Sequence, residues 1–476
     1  MAAESRSEHC QVLVIGAGPG GYLAAIRLGQ LKKDTILVEK ERALGGICLN
    51  VGCIPSKALI HAAGLISEAR NASAMGVYVG HISVKMDELV RWKDRVVKKL
   101  TDGVKFLVEK NGSRIVFGTA RLLTSRKAAV TTAEGKRMDI EFETALLATG
   151  SSTAELKNFP FDGQRIIDST AALSLQDVPR RLVVVGASYI GLELGMVYRK
   201  FGSEVTFVEM SPILLPALDN EVGDAMKRRL AELGTPLFLG HSASGFEPGQ
   251  PSTVIIRDGQ GNEKKLEADK VLVSVGRKPN TEGLGLERVC VEQDGLGFIK
   301  VNNRLETSIP GIYAIGDVIG GPLLAHKAYQ EAKFVAEIIA GKPAPTEDII
   351  VPAAIYTDPE IAWAGLTEKM ARAKGLEIRT GTFPFRASGR ALTLNAPEGF
   401  IKTIALAKTG KIKGMIMVGR DVSELIGEAS LGLEMGASLK DFEASIHPHP
   451  TLSEALVESV DAALGHAIHI VNREKT

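Results

Sequence analysis

Two cysteines, Cys48 and Cys53, lie five positions apart in the run Gly45–Lys57, behind the diglycine Gly45-Gly46 and ahead of Ile-Pro-Ser-Lys. That tetrapeptide opens a predicted long helix through Ala58 and Leu59 toward Arg70, which places Cys53 at a helix start. The positive end of a helix dipole favours the thiolate over the thiol. A thiolate attacks disulfides, so the pair can cycle between dithiol and disulfide once an electron acceptor is supplied. The plainer alternative is a structural disulfide or two buried thiols. Only four cysteines occur in the chain, at positions 10, 48, 53 and 290. A secreted, disulfide-stapled protein carries more, so the expected compartment is reducing and cytoplasmic, where a close pair is more often catalytic.

Dithiol chemistry needs a base, because a thiol with an ordinary pKa of about 8.5 is mostly protonated at neutral pH. Of nine histidines, the conspicuous one is His449, in Ile446-His447-Pro448-His449-Pro450-Thr451-Leu452-Ser453-Glu454. Two prolines restrict its backbone. Glu454, five residues on, is near enough in a turn and helix start to orient the imidazole as a carboxylate does in a triad. Thr451 and Glu454 also fit a capping box, in which both satisfy backbone amides. The residues alone leave both readings open.

The elements that must position these groups come from one unit used twice. Val12–Ile15 is a short apolar run suited to a buried parallel strand. A turn with Gly16, Gly18 and Gly21 follows, then a helix from Tyr22, then the strand Thr35–Val38 ending in Glu39. The pattern returns with Leu182–Val185, then Gly186-Ala187-Ser188-Tyr189-Ile190-Gly191, a helix to Phe201, and the strand Val205–Val208 ending in Glu209. Each acid lies 23 residues after its first glycine, and each half closes on a late apolar strand, Thr144–Gly150 and Lys270–Gly276. In such a unit the glycines make the turn, admit a pyrophosphate and let helix pack on strand. The helix N-terminus faces the phosphates, and the acid binds ribose hydroxyls. Two dinucleotides are therefore expected. Ser188 replaces the middle glycine of the second loop, which makes phosphate approach slightly worse. Glu209 would repel a 2′-phosphate and no arginine follows it closely, so the second site is expected to take NAD rather than NADP.

Length and composition agree. At roughly 150 residues per domain, 476 residues suggest three or four domains. The 57 basic and 56 acidic residues nearly cancel, which gives no reason to expect a nucleic-acid or membrane-surface partner. Residues 1–9 have no apolar core of a secretory signal, and no uncharged apolar run reaches the roughly 18 residues of a membrane span. From Glu347 onward, predicted strands at Ile378–Phe385, Gly399–Leu406 and Lys411–Val418 precede helices at Ser423–Gly436 and Thr451–His466. This is the texture of an α+β domain with an antiparallel sheet, suited to association.

Taken together, Gly45–Lys57, Ala148-Thr149-Gly150-Ser151, Ile315-Gly316-Asp317, Leu324–Ala328 and His449–Glu454 resemble the dihydrolipoyl dehydrogenases, which are class I pyridine nucleotide-disulfide oxidoreductases. The resemblance covers essentially the whole chain. It implies an α/β fold of two Rossmann-like dinucleotide-binding domains and a C-terminal α+β dimerisation domain, divided at 1–152 (FAD), 153–278 (NAD), 279–347 (completing the FAD site) and 348–476 (interface). It implies FAD against Gly16, Gly18, Gly21, Glu39, Lys40, Gly45, Gly46, Lys57, Gly118, Thr149, Gly150, Ser151, Asp317, Leu323, Leu324, Ala325 and His326. It implies NAD against Gly186, Ser188, Tyr189, Ile190, Gly191, Glu193, Glu209, Ala243 and Gly276, with no metal. Tyr189 is a candidate shield for the flavin or an ordinary helix-start aromatic. The resemblance also implies a homodimer, in which the histidine reaches the partner subunit's cysteines, and a protein-bound lipoyl group as substrate, carried by an acyltransferase or related lipoyl protein. Departures from the family pattern fall at Ile47, usually threonine, at Ser188, at Gly419-Arg420-Asp421 and at Pro448, usually alanine.

Overall fold

The computed structural model describes residues 6–343 and 349–472. The expected junction at 347/348 lies outside the described residues, as do residues 1–5 of the N-terminal nine.

The first sheet is built on the strand Arg6–Ile15, whose apolar end Val12–Ile15 is buried on both faces. It pairs in parallel with Thr35–Glu39 on one side and with Arg137–Leu147 on the other. The strand Arg114–Phe117 extends one edge, and a hairpin of Thr119–Thr124 and Lys127–Thr131 extends the other. The late strand expected at Thr144–Gly150 is the end of the 11-residue strand Arg137–Leu147. Its first half alternates in burial, because one face of the hairpin meets solvent. Its last three residues are fully enclosed between Arg6–Ile15 and the strand Ile312–Ala314. The helix Pro19–Gln30 covers the sheet. It starts with Pro19 at the first helical position, where a missing N–H costs nothing.

The second sheet repeats this order with fewer strands. Arg181–Val185 lies between Glu204–Glu209 and Lys270–Val273, all parallel, with Leu237–Leu239 and Ile166–Ile167 at the edges. Helix Tyr189–Phe201 follows the second glycine-rich turn. A three-stranded antiparallel sheet, Ser242–Glu247, Ser252–Arg257 and Glu263–Ala268, is inserted before the late strand. The C-terminal sheet is antiparallel throughout: Ala353–Ile355, Glu360–Gly365, Ile412–Gly419, Phe400–Leu406 and Ile378–Pro384 in spatial order. Helices Val422–Glu434 and Glu454–Leu464 pack on it.

Residues 46–75 are long and apolar enough, by length and composition, to cross a membrane, although no uncharged 18-residue run was found in the sequence. The stretch is interrupted at Gly52, which separates the helices Gly46–Val51 and Cys53–Asn71. Its buried residues Leu59 and Ala63 join a core with Leu192, Met196 and Phe207 of the second nucleotide domain.

The second nucleotide domain and the C-terminal domain meet around Lys402. Its buried ammonium lies 3.0 Å from Asp219, 2.5 Å from Glu221 and 2.5 Å from Glu368. The three acids are close enough together to resemble a metal cluster, but the lysine is their counter-ion. Burial disfavours the ammonium, yet the three carboxylates outweigh it and raise the Lys402 pKa. Burial likewise opposes the Glu368 carboxylate, while Lys402 and Arg372 hold its pKa below the ordinary value. A lowered carboxylate pKa gives stability that is present above the unfolded-state value and is lost as pH falls through the folded-state value. We expect Lys402→Met to lose about 3–5 kcal/mol at pH 7, the cost of an unpaired buried charge. The deficit should shrink as acid protonates Glu368, which urea unfolding across pH 4–8 will check.

Candidate active site

Cys48 and Cys53 are joined as a disulfide, Cα atoms 4.6 Å apart. Cys48 belongs to the short helix Gly46–Val51 and is half-buried; Cys53 is the first residue of the helix Cys53–Asn71 and is exposed. The diglycine holds this segment against the first nucleotide loop. Gly45 and Gly46 both have positive φ, 106° and 58°. The Gly45 N–H donates to the Ala17 carbonyl at 2.7 Å. A Cβ on Gly46 would stand 2.5 Å from the Gly18 Cα, so the two backbones touch with no room for a side chain. The Asn50 amide donates to the carbonyls of Leu44 and Gly46, which fixes the short helix from its other end.

The two dinucleotide cradles are built alike. In the first, Glu39 is buried and accepts from the Ala17 N–H at 2.6 Å and the Glu41 N–H at 2.9 Å. In the second, Glu209 accepts from the Ala187 and Ser211 N–H groups, both at 2.8 Å. The Gly16 N–H donates to Val38 and the Gly186 N–H to Val208, each at 2.8 Å. A Cβ on Gly21 would collide with the Gly16 carbonyl, and one on Gly191 with the Gly186 carbonyl. At Gly18, by contrast, a Cβ would meet only the Gly46 Cα, 3.9 Å away, so the space above the loop is free for a phosphate. The Ser188 hydroxyl donates to the Ser274 carbonyl at 3.2 Å and is thereby turned toward its own sheet. These features fit a dinucleotide at each loop.

The remaining predicted residues fall into three places. Gly118 donates its N–H to the Glu39 carbonyl, and Lys40 is exposed beside it. Thr149, Gly150 and Ser151 meet the loop after Gly276: Thr149 and Asn280 exchange hydrogen bonds at 2.8 and 2.9 Å. Ser151 donates to Asp317 at 2.5 Å and accepts from Arg277 at 2.7 Å. Leu323 and Leu324 lead into the helix Ala325–Ile339, at whose start His326 bonds the Pro352 carbonyl. Ile190 lies beside Tyr189 in the first turn of the helix Tyr189–Phe201. Loss of hydration raises the Tyr189 phenol pKa; Arg277 opposes this, and Asp317 and Glu193 add to it. Tyr189 is therefore in electrostatic reach of a predicted FAD residue. Ala243 stands apart on the inserted sheet, paired with Ile256. Glu193, expected beside the second nucleotide, pairs with Lys57, 2.8 Å away.

His449 and Glu454 are brought together. The imidazole Nδ1 is 2.8 Å from Glu454 Oε1, while Glu454 Oε2 accepts the Thr451 N–H at 2.7 Å. The carboxylate thus performs both of the roles left open by the sequence, one with each oxygen. The Thr451 hydroxyl is engaged by Pro448 and Ser453, so the reciprocal half of a capping box is absent. Burial works against the Glu454 carboxylate, but the Thr451 N–H and His449 outweigh it and hold its pKa low. His447, two residues earlier, is half-buried and bonds Glu428 at 2.8 Å, which ties the loop to the helix Val422–Glu434. Arg277, Asn280 and Tyr356 (below) were not singled out from sequence.

Two nucleotide cradles flanking a dithiol define a pyridine nucleotide-disulphide oxidoreductase, and the chain belongs to that family. The family model so described matches residues 10–332, and the model of its dimerisation domain matches residues 351–460. The chain is 47% identical over 462 residues to the dihydrolipoyl dehydrogenase of Pseudomonas aeruginosa, covering 96% of this chain and 98% of that protein. It is 45% identical over 465 residues to that of Halobacterium salinarum, covering 97% and 98%. The crystal structure of LpdA from Mycobacterium tuberculosis superposes with a TM-score of 0.88 at 26% identity, over 94% of this chain and 99% of that one. The expected resemblance and fold class are borne out.

If Glu209 holds the NAD ribose, Glu209→Ala removes a charge-assisted acceptor and should raise the KM for NAD about tenfold. Flavin content should not change. Steady-state kinetics at saturating dithiol, with flavin absorbance per chain, will check both.

Proposed function

We propose that this chain is a dihydrolipoyl dehydrogenase, oxidising protein-bound dihydrolipoyl groups to lipoyl groups with reduction of NAD. The observation that carries the reading is the Cys48–Cys53 disulfide, backed against a nucleotide loop, together with an exposed His449 oriented by Glu454. FAD and NAD are its cofactors; held at the two glycine-rich loops, they would supply a two-electron acceptor for the reduced dithiol and a final hydride acceptor.

In this reading the domains divide at 1–152, 153–278, 279–347 and 348–476, and the predicted site residues keep their assigned cofactors, Glu193 pairing also with Lys57. Glu454 engages His449 Nδ1, which leaves Nε2 to take the proton of a substrate thiol. The substrate thiolate attacks Cys48 Sγ; the Cys48–Cys53 bond breaks, and Cys53 leaves as a thiolate. The second substrate thiolate then displaces Cys48, so the substrate closes to a disulfide and the enzyme holds two reduced sulfurs. The start of the helix Cys53–Asn71 stabilises the Cys53 thiolate, with Lys57 one turn further on.

The His449 side chain is 80% exposed and sits in the dimerisation domain. We therefore place it against the partner subunit's disulfide in a homodimer. The lipoyl group arrives on an acyltransferase or related carrier protein, and the cell compartment is the cytoplasm.

Replacing His449 with Gln should leave flavin bound but lower dihydrolipoamide turnover about 10²–10⁴-fold, the usual worth of a positioned base. Near-normal turnover would return His449 to a structural role. A second expectation is a long-wavelength thiolate-to-flavin absorbance on two-electron reduction. If that absorbance is missing while both thiols titrate with a thiol reagent, the assignment of Cys53 is wrong.

A further inference from the structure

Lys57 is held from two directions. Its ammonium lies 2.8 Å from Glu193 Oε2, in the helix Tyr189–Phe201. It also stands 4.3 Å from the centroid of the Tyr356 ring, over its face. Tyr356 follows the strand Ala353–Ile355 of the C-terminal sheet, and its N–H donates to the other oxygen of Glu193 at 2.8 Å. Three segments, one from each domain, thus close a small circuit: ammonium to carboxylate, carboxylate to peptide N–H, aromatic face back to ammonium. Glu193 is buried and Lys57 two-thirds buried, so neither is held by solvent.

We infer that Tyr356 is a positioning residue for the dithiol–flavin reaction, acting through Lys57: its ring face and its N–H fix the ammonium and its counter-ion together. The inference deepens the reading above, resting on Lys57 facing the flavin.

The chemistry is that of a cation held over an aromatic quadrupole. Electrostatic attraction orients the ammonium toward the ring, and the desolvated setting strengthens it relative to an exposed pair. Glu193 alone would leave the four-carbon lysine stem several rotamers through which to reach one oxygen. The ring removes that freedom by adding a second attractive wall. Burial raises the Tyr356 phenol pKa, with Glu360, Glu424 and Glu193 adding to it and a Ser423 hydrogen bond opposing. The hydroxyl therefore stays neutral, and the ring, not a phenolate, meets Lys57.

The test is to compare flavin-loaded wild type, Tyr356→Phe and Tyr356→Leu for the long-wavelength absorbance after two-electron reduction, the flavin midpoint potential, and kcat with dihydrolipoamide and NAD. Tyr356→Phe keeps the ring and should match wild type. Tyr356→Leu should weaken the absorbance, shift the potential and lower kcat about two- to tenfold, with the KM for NAD unchanged. In a Lys57→Met background, the Leu substitution should add nothing, since its effect passes through the lysine. Should Tyr356→Leu fail to retain flavin, fluorinated phenylalanines at 356 keep the shape while draining the ring face of negative charge. The absorbance should then fall with each added fluorine. Insensitivity to fluorination, or a Leu variant equal to wild type in all three readouts, overturns the role of Tyr356. Wild type lacking the long-wavelength absorbance would instead overturn the placement of Lys57 and Cys53 at the flavin.

Discussion

The contact on which the site depends is between two glycine backbones. Gly46 can approach Gly18 only because Gly46 carries no side chain, and Gly45, which donates to Ala17, is held in the left-handed conformation. A methyl group at Gly46 would have to displace backbone, not a flexible side chain. This contact fixes the disulfide at a set distance from the loop built to receive a pyrophosphate. It also aims the following helix: Cys53 begins it, Lys57 comes one turn later, and Leu59 and Ala63 carry its inner face into the second nucleotide domain. One close approach therefore sets both the position of the redox pair and the packing of the helix that tunes it.

The second cradle shows what such a loop needs when no dithiol is attached. Its acid, its first glycine and its closing strand reproduce the first cradle to within about 0.2 Å in their hydrogen bonds. The middle position is relaxed to serine, whose hydroxyl is taken by Ser274. The sequence reading expected a small penalty at Ser188, and the geometry shows how the chain limits it. At Gly18 a Cβ would meet the Gly46 Cα only at 3.9 Å, so the glycine there keeps space above the loop rather than room for the adjoining segment.

Much of this was legible in the sequence because it is local. The cysteine spacing, the glycine-rich turns, the terminal acids and the alternation of the C-terminal strands are each written within about thirty residues, the span of one βαβ unit. The pairing of His449 with Glu454 is local too, yet the sequence could not rank it against a capping box. Both readings use the same carboxylate, and only the structure shows that its two oxygens are divided between them. What escaped was long-range. Arg277 read as loop, although it donates to Ser151, and Asn280 grips Thr149. Tyr356 gave no signal at all, since the partners that define it stand at positions 57 and 193. Glu193 was placed at the second nucleotide by the family resemblance; its pairing with Lys57, 136 residues away, was not legible.

The long-range contacts differ in weight, and that difference says which of them hold the domains in register. Arg420, in the turn that departs from the family pattern, reaches Glu68 on the disulfide helix at 2.7 Å, but both side chains are at least a third exposed. Such a pair contributes about 0–1 kcal/mol and is screened by salt. Lys402 with its three acids, and Lys57 with Glu193, are sequestered, and breaking either leaves a charge that burial penalises heavily. The first clamps the second nucleotide domain to the C-terminal domain; the second joins the same nucleotide domain to the disulfide helix. Rotation of the second nucleotide domain against its two neighbours must disturb both, so its packing on the dimerisation domain is tied to the geometry beside the redox pair.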